Sequence, residues 1–69
     1  MDTITLEQYV EDWLKYSGIE LRGITTFDIY KDLEFSIEND VGHHYKFDAT
    51  WENAVKVKKL IDDHFHSDY

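Results

Sequence analysis

The sequence predicts an α+β domain with the order α-β-β-β-α, a three-stranded antiparallel sheet carrying two helices on one face. Three observations lead there. Apolar residues recur at helical spacing near both ends of the chain. Between them, from Phe27 to Glu38, apolar and polar residues alternate, with Lys31 the one exception. The run Asn39-Asp40-Val41-Gly42 then supplies residues that tolerate the positive φ of a hairpin.

The first helix is expected over Thr5–Ser17. Leu6, Tyr9, Val10, Trp13 and Leu14 make one apolar stripe. Thr5 and Gln8 have the spacing of a capping box, Ile4 and Tyr9 that of a hydrophobic staple, and Gly18 supplies the stop. Residues 19–24 read equally as loop or short strand. In the alternating segment, Phe27, Ile29, Leu33, Phe35 and Ile37 point one way; Asp28, Tyr30, Asp32, Glu34, Ser36 and Glu38 point the other. Twelve residues exceed the usual strand length of about 3–10, so a break is expected near Lys31-Asp32. His43 to Phe47 would pair back with Tyr45 and Phe47 inward. Thr50 caps a second helix running to about Phe65, whose broad buried side is Trp51, Ala54, Val55, Val57, Leu60, Ile61 and Phe65. Its outer face offers Glu52–Lys56, Lys58–Asp62 and Lys59–Asp63 at i,i+4. Asp62 and Asp63 oppose the helix dipole at its C-terminal end, so fraying is expected there.

Sixty-nine residues make one domain, 1–69, with a small core. There is no Pro, repeat or low-complexity tract to mark a linker. Cys is absent, which rules out disulfides and thiolate metal sites in this sequence and fits a reducing cytoplasm. No basic and apolar leader follows Met1, so no signal peptide is expected, and no apolar run reaches the roughly 18 residues of a membrane span.

Charge is the main clue to function. Residues 1–40 hold ten Asp and Glu against three Lys and Arg, or −7; residues 41–69 hold five against four, or −1. These sum to the net charge of −8. Asp28, Asp32, Glu34, Glu38 and Asp40 share one parity with no Lys or Arg among them, and in a strand they form one uncovered acidic face. Alternate strand residues lie about 6.6 Å apart, a spacing compatible with successive phosphates along a winding backbone. Glu7, Glu11 and Asp12 add charge on the first helix. Such a surface repels nucleic acid and anionic membrane and attracts basic proteins. Tyr30 falls on the same face and is a candidate interface anchor.

No Gly-rich phosphate loop or nucleophile–base arrangement is present, so an enzyme is not expected. His64 and His66 lie beside Asp62, Asp63 and Asp68, but helix residues two apart point about 200° apart and cannot chelate one ion. Alternation likewise splits His43 from His44. No metal and no cofactor are expected.

The order α-β-β-β-α resembles that of the double-stranded-RNA-binding domain across nearly the whole chain, which implies duplex RNA as ligand. That family opens its last helix with a Lys-rich cluster, where this chain has Thr50-Trp51-Glu52-Asn53. Lys56, Lys58 and Lys59 come later, beside acids. In size, acidity and lack of enzymatic motif the chain is more similar to the small acidic proteins with which phages take over host functions. Several of these imitate DNA. That resemblance implies a cytoplasmic DNA mimic, acting in a bacterial host, that occupies the basic surface of a DNA-binding protein and displaces its DNA. A histone-like nucleoid protein of the HU type is the preferred target, because it grips duplex by charge and shape. A CRISPR or restriction inhibitor of the same acidic type, and a small adaptor using apolar contacts, are the alternatives. Eleven aromatic residues on a small core also lead us to expect a homodimer.

Overall fold

The computed structural model describes residues 2–40 and 42–66. The order is β1 (Asp2–Ile4), α1 (Leu6–Ser17), a 3₁₀ turn (Gly18–Leu21), α2 (Thr26–Asn39), β2 (His43–Tyr45) and α3 (Trp51–His66). The domain is mostly helical. Its sheet has two short strands in parallel, with Asp2, Thr3 and Ile4 opposite His43, His44 and Tyr45. Parallel strands need a long crossover, and α1 and α2 together provide it. The expected three-stranded antiparallel sheet is therefore overturned, and with it the order on which the likeness to the double-stranded-RNA-binding domain rests.

Residues 27–38, expected as a strand, form α2. Ile29 and Leu33, four apart, are completely buried, and Ile37 continues the same row half-buried. A spacing of four preserves parity, so one set of residues satisfies a helical stripe and a strand alternation at once. Local chemistry decides between them. Thr25 caps the helix, its Oγ1 accepting from the Asp28 N–H at 3.1 Å. Asp28 also places a negative charge in the first turn, where the helix dipole favours it. Phe27 and Phe35, expected to face inward with Ile29 and Leu33, instead face solvent.

Both outer helices form where expected. The Thr5–Gln8 capping box is complete, with Gln8 N–H donating to Thr5 Oγ1 at 3.2 Å and Thr5 N–H to Gln8 Oε1 at 3.1 Å. Gly18 ends α1 at φ 55°, and the chain turns directly into the 3₁₀ segment that occupies the ambiguous stretch. Thr50 caps α3 by accepting from Asn53 N–H at 3.1 Å. Of the expected pairs on α3, Lys58–Asp62 is formed at 2.8 Å. Its buried side is narrower than expected: Ala54, Val57 and Ile61 are buried, Phe65 is half-buried, and Trp51, Val55 and Leu60 are exposed.

The core is Val10, Leu21, Ile29, Leu33, Ala54, Val57 and Ile61. Every one belongs to a helix or the 3₁₀ turn, and α3 packs against both α1 and α2. The expected hairpin at Asn39–Gly42 is instead the exit from α2: Asp40 caps its C-terminus, Val41 lies outside the described residues, and Gly42 turns the chain at φ 109° into β2. Of the two rings expected to face inward, Phe47 packs against the core, while Tyr45, also half-buried, lies outside it beside Phe47.

Candidate functional site

Converting the strand to a helix redistributes the acidic residues. At about 100° per residue, Glu34 lies about 160° around α2 from Asp32, so no single acidic sheet face exists. Asp28 is exposed on the first turn. Glu34 and Glu38 flank the outer side of α2, the first half-buried and the second exposed. Glu7 faces another groove beside Lys56 and Lys59 of α3. Glu11 lines a shallow groove with Thr3 and Gln8, on the way to Asp12. Tyr30 does not lie on an acidic sheet face: it packs edge-on against Trp51, ring centroids 6.0 Å apart.

Three of the expected acids do converge. Asp12 from α1, Asp32 from α2 and Asp40 at the α2 exit line one open cleft of about 320 Å³. Ile4 of β1, with His43 and Tyr45 of β2, closes one side; Tyr9, Trp13 and Tyr16 of α1 form the other. Position follows from the helix: 9, 13 and 16 have i, i+4, i+7 spacing and share a flank with Asp12. The rings are braced edge-to-face. Trp13 meets Tyr9 at 5.5 Å, Tyr9 meets Phe47 at 5.7 Å, and Phe47 meets Tyr45 at 5.6 Å.

Hydrogen bonds fix two of the carboxylates. The Tyr9 hydroxyl donates to Asp32 Oδ2, across the gap between α1 and α2. The Tyr45 hydroxyl donates to Asp40 Oδ2 at 2.5 Å, and His43 Nε2 stands 3.9 Å from Asp40 Oδ1. Burial, first, and then the bond to Asp32 and its charge hold the Tyr9 proton far above the ordinary tyrosine range. Burial, followed by the bond to Asp40 and its charge, pushes Tyr45 up to about 12.

These protons make an alkaline limit. Above about pH 10 the unfolded tyrosines lose their protons while the folded ones keep theirs, so the unfolded state binds fewer. Stability is whole below that pH and falls as pH rises from 10 towards 12, by up to about 1.4 kcal/mol per unit for Tyr9 and less for the solvent-screened Tyr45. Tyr9→Phe is expected to flatten this decline, read by circular dichroism against pH, while losing stability at neutral pH. A decline as steep as in the wild type would contradict the assignment.

Of the cleft residues, Asp12, Asp32 and Asp40 are expected from the charge pattern and Tyr45 as an inward-facing ring, whereas Tyr9 and Trp13 are expected only as core and Tyr16 and His43 carry no expectation there. The signal available in the sequence is the aromatic row 9, 13, 16 beside Asp12, of which only Tyr9 and Trp13 fall on the apolar stripe. Among the described residues no polar or charged side chain is buried, so each carboxylate meets solvent. None of the described residues form a group of three or more His, Asp or Glu able to hold a metal ion, and Asp68 lies outside them. No helix among them is long and apolar enough to cross a membrane. Comparison with protein-family models, with curated proteins and with solved structures gives no match.

Chemically, the cleft offers fixed negative oxygens beside aromatic faces. This combination suits a cation with an extended or planar apolar part, since the carboxylates take the charge and the rings take the stem.

Proposed function

We propose that the protein is a non-enzymatic binding module that engages a basic protein in competition with the nucleic acid that protein carries. In this reading a lysine or arginine of the partner enters the cleft between Tyr9, Trp13 and Tyr16 on one side and Tyr45 on the other, and meets Asp12, Asp32 and Asp40. The observation that carries it is the convergence of three carboxylates, two of them pinned by tyrosine hydroxyls, in one aromatic-walled cleft. The charge around it is supportive. Glu7–Glu11, Asp28–Asp32 and Glu34–Glu38 are i,i+4 acid pairs, each about 6 Å apart along its helix. Such pairs cost helix stability and add to the negative field around the cleft. A DNA-binding protein of the bacterial cytoplasm, of the histone-like HU type, is the partner this chemistry suits best.

The test uses a labelled arginine-rich peptide and a labelled DNA duplex bound to an HU-type protein, followed by fluorescence anisotropy. The protein is expected to bind the peptide and to release the duplex, with both effects fading between about 50 and 200 mM salt. Saturable binding of the protein to the duplex itself would overturn the reading, as would salt-independent binding of the peptide.

A further inference from the structure

The outer side of α2 leaves two large rings in water. Phe27 is 56% exposed and Phe35 68%. Lys31 lies between them, its Nζ 5.5 Å from the Phe27 ring centroid. Residues 27, 31, 35 and 38 share the side of the helix opposite the buried Ile29 and Leu33, and Glu34 borders that side. Lys31 is the one basic residue of α2, set among four acids. Two exposed rings on one side of a helix, bridged by the lysine stem between them, are a feature that marks association surfaces.

We propose that this side of α2 is the interface of a homodimer, with the two α2 helices antiparallel across a twofold axis. The stripe is self-complementary in only one sense. A parallel arrangement in register sets Lys31 on Lys31 and acid on acid. An antiparallel one sets Lys31 against Glu34 of the second copy, and by the symmetry Glu34 against Lys31 of the second copy. In that register Phe27 packs on the stem of Glu38 of the second copy, and Phe35 on the methylenes of Lys31 of the second copy. Both rings leave water and both bases meet acids. Asp12, Asp32 and Asp40 lie on another flank, so the dimer keeps two open clefts. Self-association and cleft binding should also respond oppositely to salt. Each chain carries −8, so salt relieves repulsion between copies, whereas it weakens a bond to a basic ligand.

Sedimentation equilibrium of the full chain, from low to high micromolar, tests this at about 50 and 500 mM salt. The mass is expected to rise from 8.3 kDa to twice that value, more readily at high salt. Phe35→Asp should remain monomeric throughout, with a helical spectrum and melting curve like the wild type's. Lys31→Glu and Glu34→Lys should each weaken the dimer by about threefold to thirtyfold, and the double exchange should restore it. Glu34→Lys is the sharper variant: it lowers the net charge from −8 to −6, yet should still weaken association. A wild-type chain of 8.3 kDa at high micromolar in high salt would overturn the proposal. So would a dimer indifferent to Phe35→Asp, or a double exchange that recovers nothing.

Discussion

Leu33→Ala is expected to cost about 2–5 kcal/mol, because it empties a completely buried site at the contact of α2 with α3. A domain of 69 residues has roughly 3–10 kcal/mol in all. The melting temperature should therefore fall by about 10–40 °C, to the point where much of the population is unfolded at room temperature. Phe35→Ala, two positions along, should change stability by less than about 0.5 kcal/mol in the monomer, since its ring stands in water. A strand would place both residues on one buried face and make both changes costly. Equal losses in thermal melts at low protein concentration would contradict the helix.

The second large effect concerns the cleft. Changing Asp12, Asp32 and Asp40 to Asn removes three charges while leaving Tyr9 and Tyr45 an oxygen to donate to. Each charge should contribute about 0.5–1.5 kcal/mol at a partly desolvated contact, so peptide binding should weaken roughly tenfold to a thousandfold at low salt. The matched control removes three charges from the rest of α2, with Asp28→Asn, Glu34→Gln and Glu38→Gln. It should weaken binding by no more than about threefold, through the smaller overall field. Titration of the arginine-rich peptide by anisotropy reads both. Equal losses would mean that net charge alone governs binding and that the cleft has no special part.

The legible parts of this fold are those where local and global signals agree. All three helices open on Thr with a polar residue three positions later: Thr5 and Gln8, Thr25 and Asp28, Thr50 and Asn53. Each Thr accepts from that third residue's N–H. The first and last were read correctly because a stripe with mixed i+3 and i+4 steps follows them. The middle one is masked because Ile29, Leu33 and Ile37 step only by four, and Phe27 and Phe35, on the same parity, complete an alternation. Two exposed rings thus concealed the helix. Their exposure is a tertiary fact, set by which side of α2 meets α3, and no local pattern carries it. The site was partly legible for the same reason. Excess acid is plain from composition, but the grouping of Asp12 with Asp32 and Asp40 depends on how α1 and α2 are each set against α3.

The short parallel pairing of β1 with β2 has a mechanical consequence. Its three rungs hold Ile4 beside His43 and Tyr45, and so hold one wall of the cleft, yet no strand residue belongs to the core. The pairing is a clasp that can come undone while the helices stay packed, because partial openings draw first on the regions with the fewest buried contacts. A bound cationic group, touching the strands and both helices at once, would sew that clasp shut. Occupancy of the cleft would thus be felt as stiffening of residues 2–4 and 43–46, far more than as a change in the helical framework.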